Sequence, residues 1–411
     1  MEGPVRTFSF LILMHEIFKK GPANINKIQH MGLLAVKIAQ MFALRIDFLS
    51  AQKCSQLSTL LQNNTTIDEL NSEEILQQPY MSHLLKHLKA IDMTPFASAS
   101  VAQVHLGVLE SGDRVAIKIL KQDYVKSFEK DLKKVIFLFR IFIFFYPKLM
   151  RVANPIAVLK MIEKDTLNEL DLRREYQHHS RLRVLFEEYR DLVDLADMGF
   201  QRLYPEYSEK EILVSDLIDG KTFETLMDEG ALSYDVLLRL FHLQGFFMFC
   251  IGEFHGDLHP GNVMYARGSI YFIDCGALGT VEEQLRNGLF SFMKFLSQSD
   301  FASCAEALHD MSDRKIEQQP YEVFEQKFLE LYKEFPDKTV SQVSLTMQMM
   351  KTIQLGVHSG MSFSKGMFPV IKSLMYLDGM VRRVNPNAIL MKDIQPFVEE
   401  FERYMQNGRS L

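Results

Sequence analysis

Tryptophan is absent from this 411-residue chain, and its four cysteines include no CxxC pair. Cys54, Cys250, Cys275 and Cys304 are scattered, so they form neither a zinc knuckle nor a disulfide framework and fit a reducing compartment. There is no excess of positive charge: 46 Lys and Arg stand against 52 Asp and Glu, a net charge of −6, which argues against a general nucleic-acid binder. No clean apolar run reaches the roughly 20 residues of a membrane-spanning helix. Val135 to Tyr146 is too short and contains Arg140, and Leu237 to Ile251 carries Arg239, His242 and Gln244. The apolar patch Phe8 to Met14 has no small-residue cleavage site and follows an early Glu2, so it does not read as a secretory signal. Internal repeats and low-complexity tracts are also missing. The composition is globular, 47% hydrophobic and 24% charged, with length for a large core in two or three units. Phe and Met are abundant; core packing is the default reading, a lipid-facing groove the other.

The coarse pattern divides the chain. Residues 1–90 read as a helical extension, with Leu57, Leu60 and Leu61 at helical spacing. Residues 91–220 begin with two β-prone runs, Val101 to Leu109 and Arg114 to Leu120, joined by Glu110-Ser111-Gly112-Asp113, a hairpin signal. Val115, Ile117 and Ile119 share one face of the second run and Lys118 points to the other. A helical stretch follows from about Ile156 to Tyr189, then an apolar run from Ile212 to Ile218. Residues 221–411 read as mostly helical, interrupted by a Gly/Pro-rich loop and a short hairpin, Val263–Tyr265 with Ile270–Ile273.

That loop is the most informative stretch. In Phe254 to Asn262, FHGDLHPGN, Asp257 and Asn262 stand five residues apart, and Asp274 follows twelve residues later at the end of an apolar run. Phosphotransferases use such a set: an acid to orient or deprotonate the attacking hydroxyl, and two hard oxygen ligands for Mg²⁺ on the nucleotide phosphates. Upstream, Pro95-Phe96-Ala97-Ser98-Ala99-Ser100 is a small-residue turn through which backbone amides can approach phosphates. Lys118 stands in Val115-Ala116-Ile117-Lys118, while Glu169, Asp171 and Glu175 lie on a charged helix. Ser215-Asp216 stands where a two-lobed fold would hinge. A protein kinase places its phosphate turn, lysine, glutamate, base and metal ligands in this order.

Each piece has a bland reading. Gly, Pro and Asp punctuate ordinary turns. Val-Ala-Ile-Lys alone is an edge strand with a solvated lysine. Glu169 with Arg173, or Asp171 near Arg174, is by itself a surface helix pair. His255, Asp257 and His259 also form an HxDxH set able to ligate Zn²⁺. Five such coincidences in the right order are much less probable together than one kinase-like site.

These segments resemble the UbiB family of atypical, protein-kinase-like proteins, which includes the ADCK and Coq proteins, from about Gly32 to Gly279. Met31 to Asp47, MGLLAVKIAQMFALRID, is similar to the family's KxGQ segment. PFASASVAQVH, Pro95 to His105, resembles its Ala-rich loop, ELDLRRE, Glu169 to Glu175, its ExD segment, and Phe254 to Asn262 its catalytic loop. The resemblance implies that Lys118 contacts nucleotide phosphates, with Glu175 as its helix partner. It places Lys37 and Gln40 over the active site with Glu169 and Asp171 receiving Lys37, makes Asp257 the catalytic-loop acid, and has Asn262 and Asp274 hold Mg²⁺. Ala97, Ser98, Ala99, Ser100 and Asp216 complete the nucleotide candidates. Glu169 and Glu175 are six positions apart, so they face different sides of one helix. Three positions depart from the family pattern: Ala39 for Gly in KxGQ, Gly256 and Leu258 for the usual Ala and Pro, and Cys275 for the Phe of DFG.

The expected fold is α+β: a two-lobed protein-kinase-like fold with an N-terminal helical extension. The expected activity is Mg²⁺-dependent ATP binding with phosphotransfer or ATP hydrolysis, and the expected cofactors are ATP or ADP with Mg²⁺. The resemblance further implies a role in ubiquinone or isoprenoid-lipid metabolism, with an isoprenoid lipid or quinone precursor and a membrane surface as partners. Location is expected to be cytoplasmic or peripheral to a membrane, organellar in a eukaryote. Phe8 to Met14 with Ile17-Phe18-Lys19-Lys20 would suit an anionic surface as a lysine-ended helix, or pack on the protein. Two rivals stand beside this reading. A small-molecule kinase of the aminoglycoside or choline type matches the HGDLHPGN loop but lacks the first ninety residues with Lys37 and Gln40. A non-catalytic nucleotide- and lipid-binding scaffold would keep the fold without turnover.

Overall fold

The structure, a computed structural model, describes residues 7–43, 49–62, 75–98, 102–120, 130, 132–137, 160, 163–164, 166–364 and 366–407. Ala99 and Ser100 of the small-residue turn, and most of the Val135–Tyr146 run, lie outside the described residues. The chain divides into two compact units. The first comprises Met1–Arg45, Gln52–Gln177 and Gln201–Ile218; the second comprises Ile46–Ala51, His178–Phe200 and Asp219–Leu411.

The first unit opens with helices α1 (Thr7–Phe18), α2 (Leu33–Ala43) and α3 (Ala51–Gln62). Leu13 and Ile17 are buried, and the rings of Phe18 and Phe42 meet edge to face with centroids 5.2 Å apart. Leu13 and Ile17 of α1 are therefore spent on packing. Beneath it Glu16, almost fully buried, pairs with Lys19 and with Lys27 and accepts the Asn24 N–H at 3.1 Å. The hydrogen bond from Lys19 is the main cause that brings the Glu16 pKa from 4.5 down to about 2; burial opposes the shift, and Asn24 and Lys27 add to it. A depressed carboxylate pKa adds stability above its unfolded value and loses it as pH falls through its folded value. The stability gap between wild type and Glu16→Gln should therefore be full at neutral pH and close as pH falls from about 4.5 to about 2. Urea midpoints across that range measure it, and a gap independent of pH would refute the assignment.

The sheet of this unit comprises β1 (Leu88–Ile91), β2 (Ala97–Ser98), β3 (Ala102–Leu109), β4 (Arg114–Leu120) and β6 (Ile212–Asp216). Its order is β1-β3-β4-β6, with β2 on β3, all antiparallel. Period-two alternation sorts the side chains of β4. Val115, Ile117 and Ile119 pack with Leu109, Ile212, Val214, Tyr204, Met81 and Leu84. Leu120 faces the other way, with Ala102, Leu170, Leu172 and Leu213, and Lys118, opposite Leu213 in the register, shares that face.

Helix α4 (Leu172–Tyr189) begins in the first unit and continues into the second. The second unit has a four-stranded sheet in the order β5-β10-β9-β7. Its strands are β5 (Met198–Gly199), β7 (Lys221–Thr222), β9 (Val263–Ala266) and β10 (Ser269–Phe272). The β9–β10 hairpin turns on Arg267 and Gly268, both with positive φ (52° and 83°), as a type I′ turn requires. A two-stranded ladder pairs β8 (Glu253–His255) with β11 (Leu278–Thr280). Helices α5 (Tyr234–Gly245), α6 (Glu283–Ser297), α7 (Phe301–Asp310), α8 (Gln318–Tyr332), α9 (Leu345–His358), α10 (Met367–Val384) and α11 (Gln395–Asn407) complete the unit.

The segment Tyr234–Ile251 is long and apolar enough to cross a membrane by length and composition, and 67% of it is buried inside the protein. Arg239, His242 and Gln244, the polar members of its interior, have partners. Arg239 bonds Asp197 (2.6 Å) and the Asp194 carbonyl (2.7 Å), His242 meets Glu400 at 3.0 Å, and Gln244 donates to the His255 carbonyl at 2.9 Å. After α5 the chain makes a π-helical turn, Phe246–Ile251, closed by Gly252 at φ 88°, and enters β8.

Candidate nucleotide and phosphotransfer site

In the first unit the lysine of β4 has a partner on α4. Lys118 Nζ donates to Glu175 Oε2 at 2.7 Å, with only 14% and 6% of the two side chains exposed. Glu175 lies in the first turn of α4, where a carboxylate also favours the helix dipole. Losing either member would take an ion-pair partner from a largely buried charge. Spacing alone left Glu169 and Glu175 as candidates; the geometry pairs Glu175 with Lys118 and Glu169 with Lys37, whose Nζ lies 2.5 Å from Glu169 Oε2. Asp171 is held instead by Arg173, through its Nε at 2.8 Å and Nη2 at 2.6 Å. This hydrogen bonding outweighs partial burial and keeps the Asp171 carboxyl below its ordinary range. Gln40 donates to the Leu60 carbonyl at 2.8 Å and so ties α2 to α3. Ala39 is fully buried, so the methyl that replaces the family's hydrogen is accommodated in the packing of α2.

Ala97 and Ser98 pair with Val104 and Gln103 on β3. The Ala102-Gln103-Val104-His105 segment has a structural job: Gln103 Nε2 lies 2.8 Å from His105 Nε2, and His105 Nδ1 lies 3.0 Å from the Asp92 carbonyl. A neutral imidazole satisfies both contacts, with Nδ1–H donating to Asp92 and Nε2 accepting from Gln103. This fastens the two ends of the small-residue turn. Asp216, at the end of β6, accepts from the Tyr204 hydroxyl at 2.8 Å.

In the second unit β8 and β11 hold the ends of the FHGDLHPGN loop together. The Gly256 N–H donates to the Ala277 carbonyl at 2.9 Å, and a Cβ on Gly256 would lie 3.0 Å from Gly279 N and 3.2 Å from Ala277 C. A side chain at this position would therefore crowd the returning backbone. Leu258 is fully buried and Cys275 nearly so, which makes both packing residues. His255 is buried; its Nε2 lies 2.7 Å from the Asp274 carbonyl, and its Nδ1 accepts the Asp257 N–H at 3.3 Å. Burial holds its pKa below the ordinary histidine value, so a neutral Nε2–H ring links the acid loop to the Asp274 segment. His259 Nδ1 accepts the Gly261 N–H at 3.0 Å. With these ring nitrogens engaged, and no group of three or more His, Cys, Asp or Glu side chains arranged for a metal among the described residues, the HxDxH zinc reading is not supported. Two contacts from α4 brace the same region: His178 Nδ1 to the Cys275 carbonyl at 3.0 Å, and Arg181 Nε to Glu253 at 2.8 Å.

Asn262 Nδ2 donates to the Asp257 carbonyl at 3.2 Å, so Oδ1 is the end of the amide not used by this bond. Asp274 Oδ1 accepts the Gly276 N–H at 2.9 Å. One amide oxygen and one carboxylate suit Mg²⁺, which takes one or two protein ligands and fills its octahedron with phosphate oxygens and water. Asp257 is deep among protein atoms, yet 33% of its side-chain surface is open. Burial disfavours its charge, but a lysine overrides burial and holds the carboxyl below its ordinary range. That lysine is Lys372 of α10, with Nζ 3.0 Å from Asp257 Oδ1. No motif marks it: it lies far downstream, in the middle of α10.

Comparisons with known proteins give the family. The ABC1 atypical kinase-like domain matches residues 59–308, more than half of the chain. The chain belongs to the ABC1 atypical kinase-like family. Among its curated relatives, "Probable protein kinase UbiB" of Glaesserella parasuis serovar 5 (strain SH0165) is 27% identical over 91% of this chain and 69% of its own length. The protein of the same name from Histophilus somni (strain 129Pt) is 27% identical over 91% and 70%. That of Vibrio vulnificus (strain CMCP6) is 26% identical over 91% and 69%. Among solved structures, the complex of Rv3197 with erythromycin from Mycobacterium tuberculosis superposes with a TM-score of 0.55 at 18% identity, covering 80% of this chain and 84% of that one. This ABC1 chain therefore has the α+β, kinase-like fold expected from its sequence.

Proposed function

We propose that this chain binds ATP or ADP with Mg²⁺ and turns ATP over, by hydrolysis or by phosphoryl transfer, in support of ubiquinone or other isoprenoid-lipid metabolism. The observation that carries the reading is the Lys118–Glu175 ion pair, because a strand lysine held by a helix glutamate is the arrangement kinases need to engage nucleotide phosphates. Asn262 and Asp274 would hold Mg²⁺, which when bound neutralises charge on the β- and γ-phosphates. Asp257 would orient the attacking oxygen. The metabolic part rests on likeness to proteins named UbiB. A quinone precursor or membrane surface is proposed as partner, and a peripheral position follows from that. Leu13 and Ile17, being buried, would not supply the lipid contact. The test is ATP hydrolysis by the purified protein with and without vesicles and quinone-precursor mimics. Nucleotide binding without turnover under every condition would favour the scaffold reading.

The Lys37–Glu169 pair supports a regulatory role for the N-terminal extension. Lys37→Ala should change nucleotide affinity, hydrolysis or self-phosphorylation while the ligand-free melting temperature moves little. A folded variant unchanged in all three would make Lys37 a structural tether only.

A further inference from the structure

The loop from His255 to Asn262 contains an acid, an amide and two histidines, but no lysine or arginine. Phosphoryl transfer spreads negative charge over the equatorial oxygens of the transferred group, and its catalysis is mostly positioning and neutralisation of that charge. Within the second unit, the ion pair of Asp257 among the described residues is with Lys372. This lysine is built in. It rises from α10 between Ile371 and Ser373, both buried. Its Nζ lies 5.9 Å from the centre of the Tyr376 ring, which in turn meets His259 edge to face at 5.8 Å. With 22% of its side chain exposed, the ammonium has lost much of its water and needs an anionic partner. An ammonium has three donors, so holding Asp257 does not exhaust it.

We infer that Lys372 is a catalytic residue, whose ammonium supplies the transferred phosphoryl group of ATP with the cation that the His255–Asn262 loop lacks. The inference rests on the proposed use of ATP. In the step, the oxygen of a hydroxyl or water forms a bond to the γ-phosphorus as the bond from that phosphorus to the β–γ bridging oxygen breaks. ADP leaves with the electron pair of that bond, and the proton of the attacking group passes to Asp257 or to solvent. Lys372 exchanges no atom. Before nucleotide arrives, Asp257 serves as its counter-ion and keeps the long side chain in place.

The role predicts a difference between two nucleotides that needs no turnover to be seen. Binding of Mg²⁺ with ADP, and of Mg²⁺ with the β,γ-imido analogue of ATP, is measured by titration calorimetry on the full chain. Lys372→Gln should lose at least about tenfold in affinity for the analogue, the scale of one hydrogen bond to a charged group, with ADP affinity within about twofold. Lys372→Arg should recover most of the loss. The same substitution is made in Asp257→Asn, where no unpaired carboxylate remains to destabilise the fold, and the selective loss should persist there. Equal losses for both nucleotides, no loss for either, or a loss that vanishes in Asp257→Asn would overturn the assignment, the last by showing that Lys372 acts only through Asp257. A wild type that binds neither nucleotide would overturn the proposed function itself, and this inference with it.

Discussion

Replacing Asp257 with Asn should lower ATP turnover by roughly two or more orders of magnitude and leave nucleotide affinity within several-fold. The substitution keeps the shape of the side chain and removes its charge and its ability to take a proton. The main chain of the loop should hold, because its bonds do not involve the carboxylate: His255 Nδ1 accepts the Asp257 N–H and Asn262 Nδ2 donates to the Asp257 carbonyl. The change thus isolates the acid from the turn that carries it. Lys372 loses its counter-ion, which adds some destabilisation but is distinguishable by the ligand-free melting temperature. Equal turnover in wild type and variant, after contaminating ATPase is excluded, would make Asp257 a structural anion paired with Lys372.

Asp274→Asn should abolish most of the nucleotide-dependent rise in melting temperature. A ligand that binds only the folded state stabilises by mass action, about 2.7 kcal/mol at a hundred times its dissociation constant. If Mg²⁺ bridges the phosphates to Asn262 and Asp274, removing the carboxylate charge removes the stronger of the two protein ligands. Chelating Mg²⁺ from the wild type should reproduce the loss. Asn retains an oxygen that can accept the Gly276 N–H at the position of Oδ1, so the ligand-free fold should survive. A folded Asp274→Asn protein with an unchanged shift would sink the metal assignment.

Local pattern made the two hairpins readable. Alternation in Arg114–Leu120 separates Val115, Ile117 and Ile119 from Lys118, and the strand carries that division into the sheet unchanged. The loop from His255 to Asn262 could be located because Gly, Pro and Asp mark a turn and the apolar run before Asp274 marks a strand. Choosing the partner of Lys118 was harder. Glu169 and Glu175 both lie in the charged segment, and only the position of Leu170 and Leu172 against the sheet decides which carboxylate reaches which lysine. Asp171 engages Arg173 two residues away, a short-range competition that composition does not rank. Lys372 was out of reach for a different reason. Its importance comes from where α10 packs, a property of the tertiary fold that leaves no periodic trace around the lysine itself.

The four cysteines described as scattered in the sequence are all buried thiols in the fold. Burial pushes the Cys250 and Cys304 thiols upward in pKa, and a thiol kept protonated and covered is inert to labelling reagents. Each sulfur is thereby a clock that starts only when its surroundings open. Cys54 belongs to the first unit, and Cys250, Cys275 and Cys304 to the second, so mass spectrometry of a labelling time course would time the opening of the units separately. Cys275, next to Asp274, would time the segment proposed to hold Mg²⁺ without any engineered probe.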